Sequence, residues 1–268
     1  MENILQLEQV CSGYGEKEIL HRISFSLEEG RRLAILGPNG SGKTTLLRVI
    51  AGLLPAQGSV LLSGRPVAGM KREELARRVA MMSQFSGTAL SYTVEETVLM
   101  GRFVHRRRGM LAAVTKRDRE AARDCICAVG LSGLAQADVT ALSGGQLQRV
   151  FLARTLAQEP SVILLDEPTS HLDLKYQTEL TDYLKAWGKQ KGHTVVGVLH
   201  DINLALRFAD TFLFLKEGNQ IAYGGPKVIT PALLNRVYDM DVAAYMRESA
   251  DRMEDLINGK DKNVPESL

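Results

Sequence analysis

Apolar and polar positions alternate from Ile4 to Val10, where Ile4, Leu5 and Leu7 are interrupted by Gln6 and Glu8. They alternate again along Ile23-Ser24-Phe25-Ser26-Leu27. A period of two predicts half-buried strands, and Ser12-Gly13-Tyr14-Gly15 predicts the turn between them. Gly58-Ser59-Val60-Leu61-Leu62-Ser63-Gly64 reads as a further strand bounded by turns. Other apolar runs do not alternate: Leu33-Ala34-Ile35-Leu36, Val162-Ile163-Leu164-Leu165 and Thr194-Val195-Val196-Gly197-Val198-Leu199. Such runs suit parallel strands buried on both faces. A helix from about Leu174 to Lys189 separates the last two, as a right-handed βαβ crossover requires. Between Thr93 and Gln158 the spacing becomes helical, with Val94, Val98 and Leu99 and then Ala121, Ala122, Ile126 and Val129 recurring on one face. That stretch reads as a helical subdomain inserted into an α/β core. The expected division is a first core part at 1–85, the helical subdomain at 86–157, a second core part at 158–245 and a tail at 246–268. The polar stretch Asn258 to Leu268 is expected to fray.

Composition narrows the function classes. Of 268 residues, 45% are hydrophobic and 24% charged, enough to build a globular core. The net charge of +2 makes no case for a nucleic-acid partner. No run approaches the roughly 18 apolar residues of a membrane span. Met1-Glu2-Asn3-Ile4 lacks the basic start of a secretory signal, so the chain reads as soluble and cytosolic. Cys11, Cys125 and Cys127 are too few for a disulfide framework. Cys125 and Cys127, two residues apart on a helix, point to different faces and read as small packing residues rather than a metal pair.

Gly37-Pro38-Asn39-Gly40-Ser41-Gly42-Lys43-Thr44 has the spacing G-x-x-x-x-G-K-[ST] of a phosphate-binding loop. It follows the run Leu33–Leu36 and precedes a helix carrying Leu46, Leu47, Val49 and Ile50, which is the strand–loop–helix context the motif needs. Phosphate oxygens require several donors at close range, and glycines let backbone N–H groups approach without side chains in between. The helix start adds unpaired N–H groups and the positive end of its dipole. Lys43 is expected to reach the β- and γ-phosphates, Thr44 to ligate Mg²⁺, and Thr45 to complete the nucleotide-binding set.

Two acids, Asp166 and Glu167, end the buried run that starts at Val162, on the edge where open α/β sheets bind ligands. Asp166 is expected to hold Mg²⁺, and Glu167 to activate or orient the attacking water. The plain alternative is that both cap the turn at Pro168. His200 ends the next strand and is expected on the same edge, donating toward the γ-phosphate. Gln84, after the short strand Val79-Ala80-Met81-Met82, is a candidate to complete the Mg²⁺ shell, against a plain surface glutamine. Tyr14, in a glycine-flanked turn, is a candidate to stack on a base. Ser143-Gly144-Gly145-Gln146 opens a helical stretch, so Ser143 reads as an N-cap and the helix start as a second anion site; a mere cap is the alternative.

Taken in order, the phosphate loop, Gln84, Leu142-Ser143-Gly144-Gly145-Gln146, Ile163 to Glu167, Ser170-His171-Leu172-Asp173 and His200 resemble the ATP-binding cassette (ABC) ATPase family. The resemblance covers about Leu5 to Pro226. It implies a P-loop NTPase core: a mixed, mainly parallel sheet with helices on both faces, an antiparallel N-terminal β subdomain and an inserted helical subdomain. It implies ATP as substrate with Mg²⁺, and Tyr14 against adenine. It also implies a homodimer in which Ser143, Gly144, Gly145 and Gln146 contact the nucleotide of the opposite copy, with Asp173 at the dimer contact. Thr93–Val98, Gly101-Arg102, His105 and Leu199–Ala205 are similar to importer ATPases for iron–siderophore, haem or cobalamin chelates. That likeness implies a membrane permease, indirectly a substrate-binding protein, and a peripheral place on the cytoplasmic face of the membrane. Molybdate as cargo, an exporter ATPase, and a soluble ABC ATPase acting on ribosomes or DNA are the alternatives. Arg106-Arg107-Arg108 reads either as a contact for lipid or permease or as a solvated face.

Overall fold

The computed structural model describes residues 2–83, 91–105, 113–170 and 172–258. The N-terminal hairpin pairs β1 (Asn3–Tyr14) with β2 (Lys17–Glu28). Its reversal lies at Gly15, at φ 58°, later than the turn expected from Ser12 onward. The reason is Gly13: a Cβ there would sit 1.9 Å from the Lys17 carbonyl oxygen, so the glycine lets the strands close instead of turning. β3 (Arg32–Leu36) follows, then α1 (Lys43–Ile50), β4 (Gln57–Leu62), β5 (Arg65–Pro66), α2 (Arg72–Ala76) and β6 (Val79–Met82). The helical insert holds α3 (Val94–Leu99), α4 (Lys116–Ala128) and α5 (Gly144–Ala157). The chain returns through β7 (Val162–Asp166), α6 (Leu174–Gly188), β8 (Thr194–Val198) and α7 (Ile202–Phe208). It ends with β9 (Thr211–Lys216), β10 (Asn219–Gly224), α8 (Pro231–Tyr238) and α9 (Val242–Ile257).

Among the described residues the strands form one sheet in the order β5-β4-β1-β2-β10-β9-β3-β8-β7-β6. β3, β6, β7, β8 and β9 run parallel, whereas β1, β2, β4 and β5 are joined antiparallel. The continuous apolar runs follow from burial on both faces. In β3, Leu33 and Ile35 enter the core under α1, while Ala34 and Leu36 enter the one under the helical insert. β7 divides the same way, with Val162 and Leu164 on one side and Ile163 and Leu165 on the other.

The sequence pattern predicts no element between Ala205 and the tail, yet β9, β10 and α8 lie there and α9 begins there. β9 buries Phe212, Leu213, Phe214 and Leu215 and pairs with β3 through Leu33↔Thr211 and Ile35↔Leu213. The boundary expected at 245/246 falls inside α9. Asp241 caps that helix by accepting from the Ala244 N–H at 3.0 Å, and the helix continues to Ile257.

Candidate nucleotide site

β3 delivers the phosphate loop to the carboxyl edge of the sheet. Gly37 sits at φ 146°, and a Cβ on it would lie 2.0 Å from the Leu215 carbonyl oxygen, so β9 forces glycine at that position. Gly40 at φ 78° and Gly42 at φ 96° hold the left-handed turns that lead into α1. Gly42 caps α1 without a side-chain bond, and the first turn carries no acid. The N–H groups of the helix start thus face no competing carboxylate of their own helix. Ser41 is 2% exposed and its hydroxyl has no partner. A buried orphan hydroxyl beside a free helix start fits a bound polyphosphate.

Lys43 is buried, and its Nζ donates to the Gly37 and Pro38 carbonyls at 2.8 and 2.7 Å. Burial pushes its ammonium below the ordinary lysine value, and the carboxylates of Glu167 and Asp166 offset only part of that. A desolvated lysine held on weak carbonyl partners is primed for a more negative ligand. Thr44 donates through Oγ1 to Asp166 Oδ1 at 2.9 Å, joining the loop to the end of β7. Burial raises the Asp166 carboxyl above its usual range; the Thr44 bond opposes this and the neighbouring Glu167 charge adds to it. Thr44 and Asp166 offer hard oxygen donors of the kind Mg²⁺ takes with phosphates and water, so the residues fit that ion. Among the described residues no group of three or more His, Cys, Asp or Glu side chains forms a metal cluster.

Glu167 adopts φ 53°, a left-handed conformation costing on the order of 1–3 kcal/mol for a non-glycine residue. Its surroundings hold it there. His200 Nε2 lies 2.5 Å from Oε1, and the Ser170 hydroxyl donates to Oε2 at 3.2 Å. The Glu167 carbonyl accepts from the Ser170 N–H at 3.2 Å and from Gln148 Nε2 at 3.3 Å. Burial works to raise the Glu167 carboxyl, but the bonds and charges of His200, Ser170 and Lys43 outweigh it and keep it below the ordinary glutamate range. Glu167 is therefore a persistent carboxylate, suited to orienting a water and receiving its proton late. Strand order explains the meeting: β7 and β8 are parallel neighbours, so both strand ends reach one edge.

Ser143 caps α5 in a reciprocal box, accepting from the Gln146 N–H at 3.3 Å while Gln146 Oε1 accepts from the Ser143 N–H at 2.9 Å. Gly144 has ordinary helical backbone and open space where a Cβ would stand, so among the described residues nothing requires glycine there. Asp173 caps α6 by accepting from the Tyr176 N–H at 2.9 Å. Three residues on, the Tyr176 ring lies 4.4 Å from the Arg149 guanidinium of α5, which also donates to the Val129 carbonyl at 3.3 Å. Tyr14 is 44% exposed, and its hydroxyl accepts from Arg48 Nη1 at 2.8 Å. Asn39 is exposed on the loop and Thr45 is buried beneath it. Gln84, His171 and Arg106–Arg108 lie outside the described residues. Ser170, Gln148 and the Arg149–Tyr176 pair had no assigned role in the sequence reading. The only local signal for Gln148 is a polar residue facing in from a largely apolar helix.

A glycine loop between a buried strand and a helix, joined through Thr44 to paired strand-end acids, defines a phosphate-loop ATPase. Comparison with known proteins narrows the class. The ABC transporter family matches residues 20–170. The ferric enterobactin transport ATP-binding protein FepC of Escherichia coli K12 is 39% identical, over 88% of this chain and 87% of its own. The hemin import ATP-binding protein HmuV of Pseudomonas putida is 41% identical, over 89% and 94%. The ABC transporter ATP-binding protein YvrA of Bacillus subtilis is 39% identical over 92% of this chain, which spans 56% of that longer protein. An inward-facing structure assigned to the metal-chelate type of ABC transporter superposes with a TM-score of 0.77 at 30% identity, covering 90% of both chains. A bacterial ABC transporter cassette solved as a dimer superposes with a TM-score of 0.72 at 33% identity, covering 82% of this chain and 98% of its own. The chain belongs to the ABC transporter family as an ATP-binding, ATP-hydrolysing protein.

Proposed function

We propose that this chain is the energising subunit of an importer for a metal chelate, working in pairs beneath a membrane permease. The relatives carry the cargo class: ferric enterobactin for FepC, hemin for HmuV and a metal chelate for the superposing transporter. Among the described residues no helix is long and apolar enough to cross a membrane, so on this reading a permease provides the passage and the chain sits peripherally on its cytoplasmic face. A substrate-binding protein would deliver the chelate on the other side.

Within one copy, the loop amides and Lys43 bind the triphosphate of ATP, and Tyr14 offers its exposed ring to the base. Thr44 and Asp166 would hold Mg²⁺, which would draw charge off the phosphate oxygens. Glu167 orients the attacking water, and His200 fixes the Glu167 carboxylate through the 2.5 Å contact. The Ser143–Gly144–Gly145 helix start of the mate closes over the same phosphates, with Gln146 holding its cap and Asp173 at the seam. The observation that carries this reading is Gly144: a glycine that no described residue of its own chain calls for suits a surface that something else approaches closely.

Glu167→Gln with MgATP tests the pairing. The expected outcome in light scattering is a stable dimer holding two ATP, with turnover down by about 10²–10⁴-fold. Adding Gly144→Arg is expected to abolish the dimer while each copy still binds ATP. A Gly144→Arg chain that still pairs on ATP refutes the proposed closure. Isolation of a permease with this chain, and chelate uptake that stops with Glu167→Gln, tests the cargo.

A further inference from the structure

The last helix is built with an apolar stripe that the fold does not use. Along α9, Val242, Tyr245, Met246, Ala250, Met253, Leu256 and Ile257 recur at helical three- and four-residue steps and line one face. Only the first turn is covered: Val242 is buried and Met246 packs against the main core. From Arg247 to Asn258 every residue is exposed. Tyr245 is 62% exposed, Met253 58% and Ile257 77%. About three helical turns thus stand in water with no described element against them, although isolated helices shorter than about 12–15 residues are marginal in water.

We propose that a second copy of this chain covers the stripe, α9 against α9, extending the contact between paired cassettes beyond the nucleotides. The inference rests on the paired reading given above. The stripe is rooted beside the nucleotide edge: Tyr245, Met246 and Ala250 share a cleft of about 540 Å³ with His200, Asp201 and Asn203. It therefore opens onto the same edge as the γ-phosphate machinery, the edge that paired cassettes turn toward each other.

Charge selects the occupant. The helix carries two basic residues, Arg247 and Arg252, against four acidic ones, Glu248, Asp251, Glu254 and Asp255, a net of 2 − 4 = −2. An anionic lipid surface repels that polar face, since interfacial helices hold Lys and Arg there. The charge is also uneven. Residues 242–249 hold Arg247 and Glu248 and sum to zero, whereas residues 250–257 hold Asp251, Arg252, Glu254 and Asp255 and sum to −2. Antiparallel pairing of two copies sets each acidic end beside a neutral one and avoids like against like.

The test is sedimentation equilibrium of the full chain and of the double variant Met253→Glu/Leu256→Glu. Both positions are exposed, so thermal midpoint and helix content are expected to stay unchanged. Without nucleotide, self-association is expected to weaken at least tenfold, which is about 1.4 kcal/mol. Equal association of the two proteins overturns the proposal. So does a variant that loses binding only to anionic phospholipid vesicles or to the solubilised permease. So does a chain ending at Asn258 whose self-association rises tenfold, because residues 259–268 would then be the cover. The same measurement in the Glu167→Gln background with MgATP keeps the two readings apart. Failure to pair there, with stripe-dependent pairing intact, removes the nucleotide sandwich and leaves the α9 contact standing.

Discussion

Asp118→Asn tests how the helical insert is locked, and the structure sets its size. Arg102, in the turn after α3, is 2% exposed, and its side chain bridges α4 and the end of α5. Nε donates to Asp118 Oδ1 of α4 at 3.2 Å, and Nη1 donates to the Ala157 carbonyl at 2.7 Å and meets Glu159 Oε1 at 3.1 Å, both at the end of α5. Asp118 also closes the cap of α4, its Oδ2 accepting from the Thr115 N–H at 3.0 Å and from the Thr115 hydroxyl at 2.7 Å. Asparagine retains one acceptor but turns an amide donor toward donors already present, and it removes the buried counter-charge. Breaking a buried pair costs about 3–5 kcal/mol, and the partly exposed Glu159 still answers Arg102, so the lower end applies. About 3 kcal/mol at roughly 2–4 °C per kcal/mol lowers the thermal midpoint by about 6–12 °C.

The pH dependence has a definite sign. Burial works to raise the Asp118 carboxyl, but the Thr115 bonds and Arg102 outweigh it and leave it depressed. A depressed acid stabilises the fold above its unfolded value, and that contribution is lost as pH falls through the folded value. The gap between the parent and Asp118→Asn, measured by calorimetry, is thus expected to be full near neutrality and to shrink on acidification below the ordinary aspartate range. Ser143 caps the start of α5, so turnover is expected to fall while ATP binding by the loop persists. A midpoint shift under about 2 °C, or a gap indifferent to acid, refutes this account of the lock.

Three further outcomes follow from the site. Gly37→Ala is expected to cost about 3 kcal/mol, because the new methyl meets the Leu215 carbonyl in a strained φ, whereas Gly40→Ala, in open space, costs only about 1 kcal/mol and loses nucleotide affinity instead; calorimetry and nucleotide titration separate the two. The acid limb of kcat is expected to lie below the ordinary glutamate range, since His200, Ser170 and Lys43 outweigh the effect of burial on Glu167; Ser170→Ala moves that limb upward, and a pH–rate profile reads it. Tyr176→Leu is expected to lower kcat severalfold with ATP affinity unchanged and Tyr176→Phe to restore it, because the Arg149 contact of about 0.5–2 kcal/mol ties α5 to the turn at Asp173; equal rates for Leu and Phe dismiss the ring as the coupling.

Local chemistry made much of the site readable before any fold was known. Spacing alone identified the loop from Gly37 to Thr44, because cradling a phosphate demands glycines, a lysine and a hydroxyl within one turn of chain. The doubly buried strands were equally plain, since a strand covered on both faces must be apolar at every position. The acids after Leu165 and the cap at Ser143 belong to the same category: each depends on neighbours a few residues away. What stayed hidden depends on partners far along the chain. Thr44 meets Asp166 across 122 positions, and Gly37 is glycine because of Leu215, a residue of a strand the pattern did not single out. Ser170, Gln148 and Tyr176 acquire their roles only when β7, α5 and α6 converge. α9 escaped notice for the opposite reason: its stripe is interrupted by charge and only its first turn packs. Periodicity is set by contacts within a helix or strand, so the sequence carries it openly. Which side chains share an edge is decided by strand order, and that order exists only once the sheet has closed.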